Sequence, residues 1–158
     1  MHLADLPAGT TVFIDANCLI YHLIGAYASC GTLLERTRRG EIRTVTSVVV
    51  ILEARHRLMV AAVIAHLGRP LRNVPAFLKT HPEIIRTLPP TQDVLEVVRR
   101  CRVRLLPITR RLLTDTARLS QELGLLTNDA LIVATMRAHR LTHLASNDTD
   151  FLRVPGLT

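Results

Sequence analysis

Aromatic residues are almost absent from this chain. Its 158 residues include no tryptophan, two tyrosines and three phenylalanines, so leucine, valine, isoleucine and alanine must fill the core. Proteins that bind single-stranded nucleic acid on stacked aromatic platforms need rings on which successive bases can stack. The scarcity of rings therefore disfavours that mode of binding.

Cysteines and long apolar runs are also scarce. Cys18, Cys30 and Cys101 are odd in number and widely separated, and none has the spacing of a structural zinc site, so we expect buried free thiols. The longest apolar stretches, residues 48–52 and 58–67, are far shorter than the roughly 20 residues that span a bilayer. The N-terminus shows no signal-peptide pattern. We expect a soluble, cytoplasmic protein with no membrane association, folded as a single domain over residues 1–158.

Lysine occurs only once, at position 79, although the net charge is +7. The other nineteen basic residues are arginines, whose planar guanidinium groups match phosphate oxygens two at a time. The charge is compatible with a nucleic-acid partner. It is equally compatible with a solvated basic surface in an arginine-rich chain, so charge alone does not decide between them.

Strand patterns alternate with helical patterns along the chain. Strands are predicted at residues 11–14, 42–46, 104–108 and 143–146. Helices are predicted at about residues 17–28, 31–39, 48–67, 93–101, 110–123 and 129–139, with Ser47, Thr91 and Thr109 as caps and Thr127 or Asn128 opening the last one. Residues 69–90 hold five prolines and form a helical insert, in which Pro75 and Pro82 start short helices and Pro89-Pro90 marks a break.

This alternation predicts an α/β fold, a three-layer α/β/α sandwich around a central parallel sheet. Ligands of such sheets gather beyond the carboxyl ends of the strands. Asp15 directly follows the first predicted strand and Asp148 directly follows the fourth. Glu53 and Asp129 lie near the starts of two apolar helices, where an ionised carboxylate needs compensation.

Each of these acids also has a purely structural interpretation. Asp15 can cap the next helix, Glu53 can pair with Arg57, Asp129 can complement the positive end of its helix, and Asp148 can form a turn. If the four acids converge, their mutual repulsion calls for a hard divalent cation. Mg²⁺ and Mn²⁺ fit an all-oxygen set of ligands.

Three segments carry a family resemblance. Phe13-Ile14-Asp15-Ala16-Asn17, residues 127–134 (TNDALIVA) and residues 144–151 (LASNDTDF) together resemble the PIN domain, with Glu53 at the position of a further acid. The resemblance implies an α/β/α sandwich that binds Mg²⁺ or Mn²⁺ and hydrolyses phosphodiester bonds, usually in RNA.

Carried over by position, the resemblance assigns metal-binding and catalytic roles to Asp15, Glu53, Asp129 and Asp148. Asp150 is a further acid that can be either a ligand or a turn residue. By the same comparison, two small polar side chains would orient the ligands. Two nearby basic side chains are candidates for contact with RNA, and a solvated surface accounts for them equally well. These residues are Asn17 and Ser146, and Arg55 and Arg57, respectively.

Many bacterial and archaeal members of this family are VapC-type toxins, commonly dimeric and held inactive by an antitoxin. The expectation is therefore a homodimeric ribonuclease toxin with RNA as substrate and a cognate antitoxin as partner. Two alternatives stay open at this point. One is an RNA-processing nuclease outside any toxin pair, and the other is a non-catalytic domain of the same fold that binds RNA or a partner.

Overall fold

A computed structural model of the chain describes residues 3–88 and 94–158. Its centre is a sheet of four parallel strands in the order β3-β2-β1-β4. The strands are β1 (Thr11–Ile14), β2 (Arg43–Ser47), β3 (Arg104–Leu106) and β4 (His143–Ala145). The parallel sheet and the three-layer arrangement that the sequence predicts are confirmed.

Helices cover both faces of this sheet. They are α1 (Ala16–Ile24), α2 (Ala28–Arg38), α3 (Val48–Leu67), α4 (Val74–Thr80), α5 (Pro82–Thr87), α6 (Val94–Arg100), α7 (Arg110–Leu123) and α8 (Thr127–Ala138). Helices α7 and α8 pack together, while α1 contacts α2, α3 and α6. None of the helices in residues 3–88 and 94–158 combines the length and apolar character that a membrane span requires.

Aliphatic side chains dominate the main core, as the shortage of aromatic residues requires. Phe13 and Ile14 on β1, Leu33 on α2 and Met136 on α8 are fully buried in it. The three cysteines are also buried and free, as predicted. Strand β1 lies between β2 and β4 and is therefore covered on all sides, which fixes the position of the residues that follow it.

The insert after α3 builds a second, smaller apolar cluster. Val63 on α3 packs with Val74 and Leu78 on α4, and the partly buried Phe77 and Ile84 border them. Pro75 lies in the first turn of α4 and Pro82 begins α5, so both short helices that the prolines predict are present. The insert therefore packs on the C-terminal half of α3 through its own small apolar core.

Several predicted boundaries are wrong. Helix α1 ends at Ile24 rather than near residue 28, because Gly25 adopts a left-handed conformation (φ 68°) and its N–H bonds back to the helix. The third strand stops at Leu106, since Pro107 has no N–H to donate to a sheet ladder. Helix α8 begins at Thr127, with Leu126 in the capping position and no side-chain cap. The predicted cap at Thr91 and break at Pro89-Pro90 lie outside the described residues.

Candidate active site

Adjacent strands bring two of the acidic segments together. Strand β1 pairs with β4, and beyond that pairing the N–H of Asp15 donates to the carbonyl oxygen of Ala145 at 3.0 Å. This rung lies at the carboxyl end of both strands. Residues 146–148 therefore leave the sheet directly beside Asp15, where sites of parallel sheets are found.

Asp15 is buried and held by three hydrogen bonds. Its Oδ1 accepts from the N–H of Ala16 at 2.6 Å, while its Oδ2 accepts from the Ser146 hydroxyl at 2.8 Å and the Asn17 amide at 3.4 Å. Burial raises the pKa of Asp15, and the bonds from Ser146 and Ala16 together with the charge of Arg57 oppose that rise. The carboxylate thus caps α1, as one interpretation predicts, and also faces the acids beyond it.

Among the described residues, the tightest acidic cluster consists of Asp129, Asp148 and Asp150. One carboxylate oxygen from each lies within 4.8 Å of the others. Asp129 is in the first turn of α8, and the other two stand at the start of a 3-10 helix, Thr149–Arg153. There, Asp148 Oδ1 accepts the N–H of Asp150 at 2.8 Å, and Asp150 also pairs with Arg153. The structure thus brings Asp150 closer to Asp129 than the sequence alone indicates.

Glu53 lies at the rim of this cluster. Its carboxylate is 3.8 Å from the guanidinium of Arg57, one turn further along α3, and its Oε2 accepts from the Asn128 amide at 3.5 Å. The sequence indicated Asn128 only as a possible start of the last helix, with no role in the site. Its signal is its place directly before Asp129, in the turn that opens α8.

The other four acids are close enough for their charges to act on Asp129. Burial, followed by the charges of Asp148, Asp15, Glu53 and Asp150, raises the pKa of Asp129 from 3.8 to about 6. Like charges around a half-buried carboxyl disfavour its ionised form. The negative charge of the site is only partly offset by arginines in residues 3–88 and 94–158: Arg57 pairs with Glu53 and its charge also acts on Asp15, and Arg153 pairs with Asp150.

The two arginines predicted near substrate lie in different places. Arg57 donates to the side-chain oxygen of Asn17 at 2.6 Å and so joins the acidic site. Arg55 is exposed and forms no ion pair or side-chain hydrogen bond within the described part of the chain. Two residues apart on a helix point in nearly opposite directions, which places Arg55 away from Glu53 and Arg57.

The donor set fits a divalent cation. All of the converging groups are carboxylates, the ligands that hard cations prefer. Oxygens bound to one ion at roughly 2.0–2.6 Å lie up to about 4–5 Å from one another, and the three closest acids have oxygens within 4.8 Å. The spacing and the negative charge are both compatible with the binding of a metal ion.

Comparison with known proteins decides the family. The PIN-domain family model matches residues 12–157. The chain belongs to the PIN-domain family. A relative, Ribonuclease VapC2 of Methanocaldococcus jannaschii, is 29% identical over 147 residues, covering 92% of this chain and 90% of that protein.

Solved structures of low identity share the fold. A chain in the crystal structure of VapBC2 from Rickettsia felis bound to a promoter DNA fragment superimposes with a TM-score of 0.58 at 19% identity, covering 93% of this chain and 95% of that one. A chain of a toxin-antitoxin complex from Klebsiella pneumoniae gives a TM-score of 0.51 at 21% identity with the same coverage. The PIN fold thus accounts for almost the whole chain.

The raised pKa of Asp129 predicts a pH-dependent cost to the metal-free protein. Between its unfolded value of 3.8 and its folded value of about 6, the folded state keeps a proton that the unfolded state releases, so stability is lost as pH rises through this window. Asp129→Asn cannot titrate. In EDTA, the melting temperature of the variant should exceed that of the wild type by about 2–4 °C above pH 7, a figure that allows for partial exposure.

Thermal unfolding in EDTA from pH 4 to pH 8 measures this difference. The two proteins should melt at similar temperatures near pH 4 and diverge as the pH rises. A difference that stays constant across the range would contradict the mutual repulsion of the acids.

Proposed function

We propose that this protein is a ribonuclease that depends on Mg²⁺ or Mn²⁺, and that it is the toxin of a toxin–antitoxin pair. The observation that carries the proposal is the convergence of acids from four distant segments at the carboxyl edge of a PIN-family sheet. The similarity to Ribonuclease VapC2 supports RNA as the substrate. Structural relatives solved as complexes support an antitoxin partner. The proposed protein is cytoplasmic and forms a homodimer.

The residues of the chain divide the work. Asp15, Glu53, Asp129 and Asp148 would hold the ion directly or through water, with Asp150 as a further oxygen donor beside them. A divalent cation in this position supplies Lewis-acid chemistry, which lowers the pKa of water and offsets charge on the phosphate. In the reaction, the oxygen of a water molecule forms a bond to phosphorus while the bond between phosphorus and the 3′ oxygen breaks. The departing 3′ oxygen gains a proton. The products carry 5′-phosphate and 3′-hydroxyl ends.

Ser146 positions two of these acids. Its hydroxyl donates to Asp15 Oδ2 at 2.8 Å and accepts from the N–H of Asp148 at 3.1 Å. Ser146→Ala should lower kcat/KM or the affinity for Mn²⁺ by about 10- to 100-fold, the usual cost of removing a group that orients metal ligands. The control is Ser120→Ala, which removes a hydroxyl bonded to the Leu125 carbonyl instead. Equal kinetics for the two variants would show that Ser146 does not position the acids for cleavage.

Cleavage of a labelled single-stranded RNA by the purified protein tests the activity. We expect cleavage with Mn²⁺, none with EDTA, and fragments whose 5′-phosphate and 3′-hydroxyl ends can be ligated without end repair. Cleavage that persists in EDTA, or fragments ending in a cyclic phosphate, would overturn the proposed chemistry.

Induced expression in a bacterium tests the toxin role. The wild type should arrest growth, and Asp129→Asn should not. Normal growth with active wild-type enzyme would favour an RNA-processing role instead.

A further inference from the structure

Both tyrosines of the chain line one cavity beside the acidic site. The cavity has a volume of about 210 Å³ and lies between the start of α1, the connection to α2 and the residues that follow β4. Its lining includes Asn17, Tyr21, Tyr27, Ser146 and Asn147. The side chains of Asn17 and Ser146 donate hydrogen bonds to Asp15. Two residues that line the cavity therefore contact one of the acids directly.

The two rings are set at an angle, and one of them is open to solvent. The ring centroids of Tyr21 and Tyr27 are 4.7 Å apart with planes inclined by 58°, and Tyr27 is 53% exposed. The phenylalanines offer no comparable surface near the site. Phe13 and Phe151 are buried, and Phe77 stacks on a histidine in the insert. The ring surface of this protein is therefore concentrated next to the acids.

Amide groups complete the cavity. The Asn147 amide donates to the Tyr21 hydroxyl at 3.2 Å, and Asn147 stands in the chain between Ser146 and Asp148. An amide offers both donors and an acceptor, which suits the edge of a nucleobase. Unpaired RNA bases are typically held in this way, with one face on an aromatic ring and the edge hydrogen-bonded.

We propose that this cavity receives one unpaired base of the RNA substrate, from a nucleotide next to the scissile phosphate, stacked on Tyr27 with its edge toward Asn147. The inference rests on the proposed ribonuclease function. It requires the RNA substrate to be unpaired at the nucleotide whose base enters the cavity. A shortage of aromatic residues excludes a long stacking platform, but a single base needs one exposed ring. A base paired within a duplex cannot enter the cavity.

Cleavage kinetics test the contribution of the ring. Tyr27→Ala should lower kcat/KM for single-stranded RNA by about 10- to 100-fold, the range that loss of one base–aromatic stack produces, whereas Tyr27→Phe should retain activity. Tyr27 makes no side-chain capping bond to α2, so its removal leaves the helix cap intact. The matched control is Ile24→Ala, which removes a 60% exposed apolar side chain outside the cavity lining. Wild-type cleavage by Tyr27→Ala would overturn the proposal.

Removal of single bases from the substrate locates the contact. With an oligonucleotide whose bases are replaced one at a time by abasic residues, the wild type should show one position where loss of the base costs about as much as Tyr27→Ala. Tyr27→Ala should be insensitive at that same position. Equal sensitivity of both proteins at every position would overturn the proposal.

A binding experiment separates failure of this inference from failure of the nuclease proposal. Asp129→Asn protein labelled with 3-fluorotyrosine gives two ¹⁹F signals, of which Tyr27→Phe identifies one. In EDTA, a single-stranded RNA tetranucleotide should shift the Tyr27 signal, and an abasic chain of equal length should not. No base-dependent shift, in a protein whose wild type cleaves RNA, overturns the base site alone. A base-dependent shift in a protein that never cleaves supports the base site and overturns the nuclease.

Discussion

Asp129→Asn is expected to reduce metal-dependent RNA cleavage by roughly a hundredfold to a thousandfold, comparable with the loss of a preorganised electrostatic group. The substitution keeps the volume of the side chain and removes its charge. One oxygen of Asp129 lies within 4.8 Å of oxygens of Asp148 and Asp150, and it is the acid whose pKa all four neighbouring carboxylates raise. Initial cleavage rates with Mn²⁺, together with circular dichroism of the variant, measure the effect.

Asp115→Asn is the matched control for this substitution. Asp115 is a partly exposed aspartate on α7 that pairs with Arg118 at 3.9 Å, outside the acidic site. The Asp115→Asn variant should cleave RNA at the wild-type rate. Cleavage at the wild-type rate by Asp129→Asn would show that Asp129 is not a catalytic residue. The repulsion between the acids would then have no role in cleavage.

Substitutions at Asp15 are expected to separate fold from charge. Asp15→Ala leaves the N–H of Ala16 and the hydroxyl of Ser146 without their buried acceptor, which should cost about 1–3 kcal/mol of stability. Asp15→Asn retains an acceptor and removes a charge that burial already disfavours, so its stability should stay closer to that of the wild type. Both variants should lose cleavage, because both remove the negative charge.

Thermal unfolding of both Asp15 variants in EDTA near pH 7.5 measures the separation. In a chain of this size, the expected cost corresponds to a fall of about 2–10 °C for Asp15→Ala. A melting temperature for Asp15→Ala equal to that of the wild type would show that the hydrogen bonds of this carboxylate do not stabilise the fold.

Local signals in the sequence predicted the elements that frame the site. Strand β1 has the predicted bounds because a β-branched and aromatic run stops at a polar residue. Helix α3 begins after Ser47, which caps it, and ends at Gly68, whose φ of 63° suits glycine. The break at Gly25 was missed because apolar residues continue up to it and alanine follows, so helix periodicity alone gave no stop. Tyr21 and Tyr27 lie on opposite sides of that break, and their meeting was therefore not predictable.

For the acids too, the sequence pattern indicated some positions, while others depend on local geometry. The places of Asp15, Glu53, Asp129 and Asp148 after strands and near helix starts made their convergence one of two interpretations of the sequence. The position of Asp150 depends on a 3-10 turn in which its N–H bonds to Asp148. Spacing of two residues in a loop does not determine such a turn. Asn128 likewise acquires its role only through the approach of α8 to α3.

Binding of Mn²⁺, followed by calorimetry or by electron paramagnetic resonance, most directly tests whether carboxylates from separate segments share a divalent ion. The wild type should bind the ion without RNA present, and Asp129→Asn and Asp148→Asn should each weaken binding at least about tenfold, with Asp115→Asn unchanged. A wild type that does not bind Mn²⁺, or variants that bind it as tightly as the wild type does, would contradict the account.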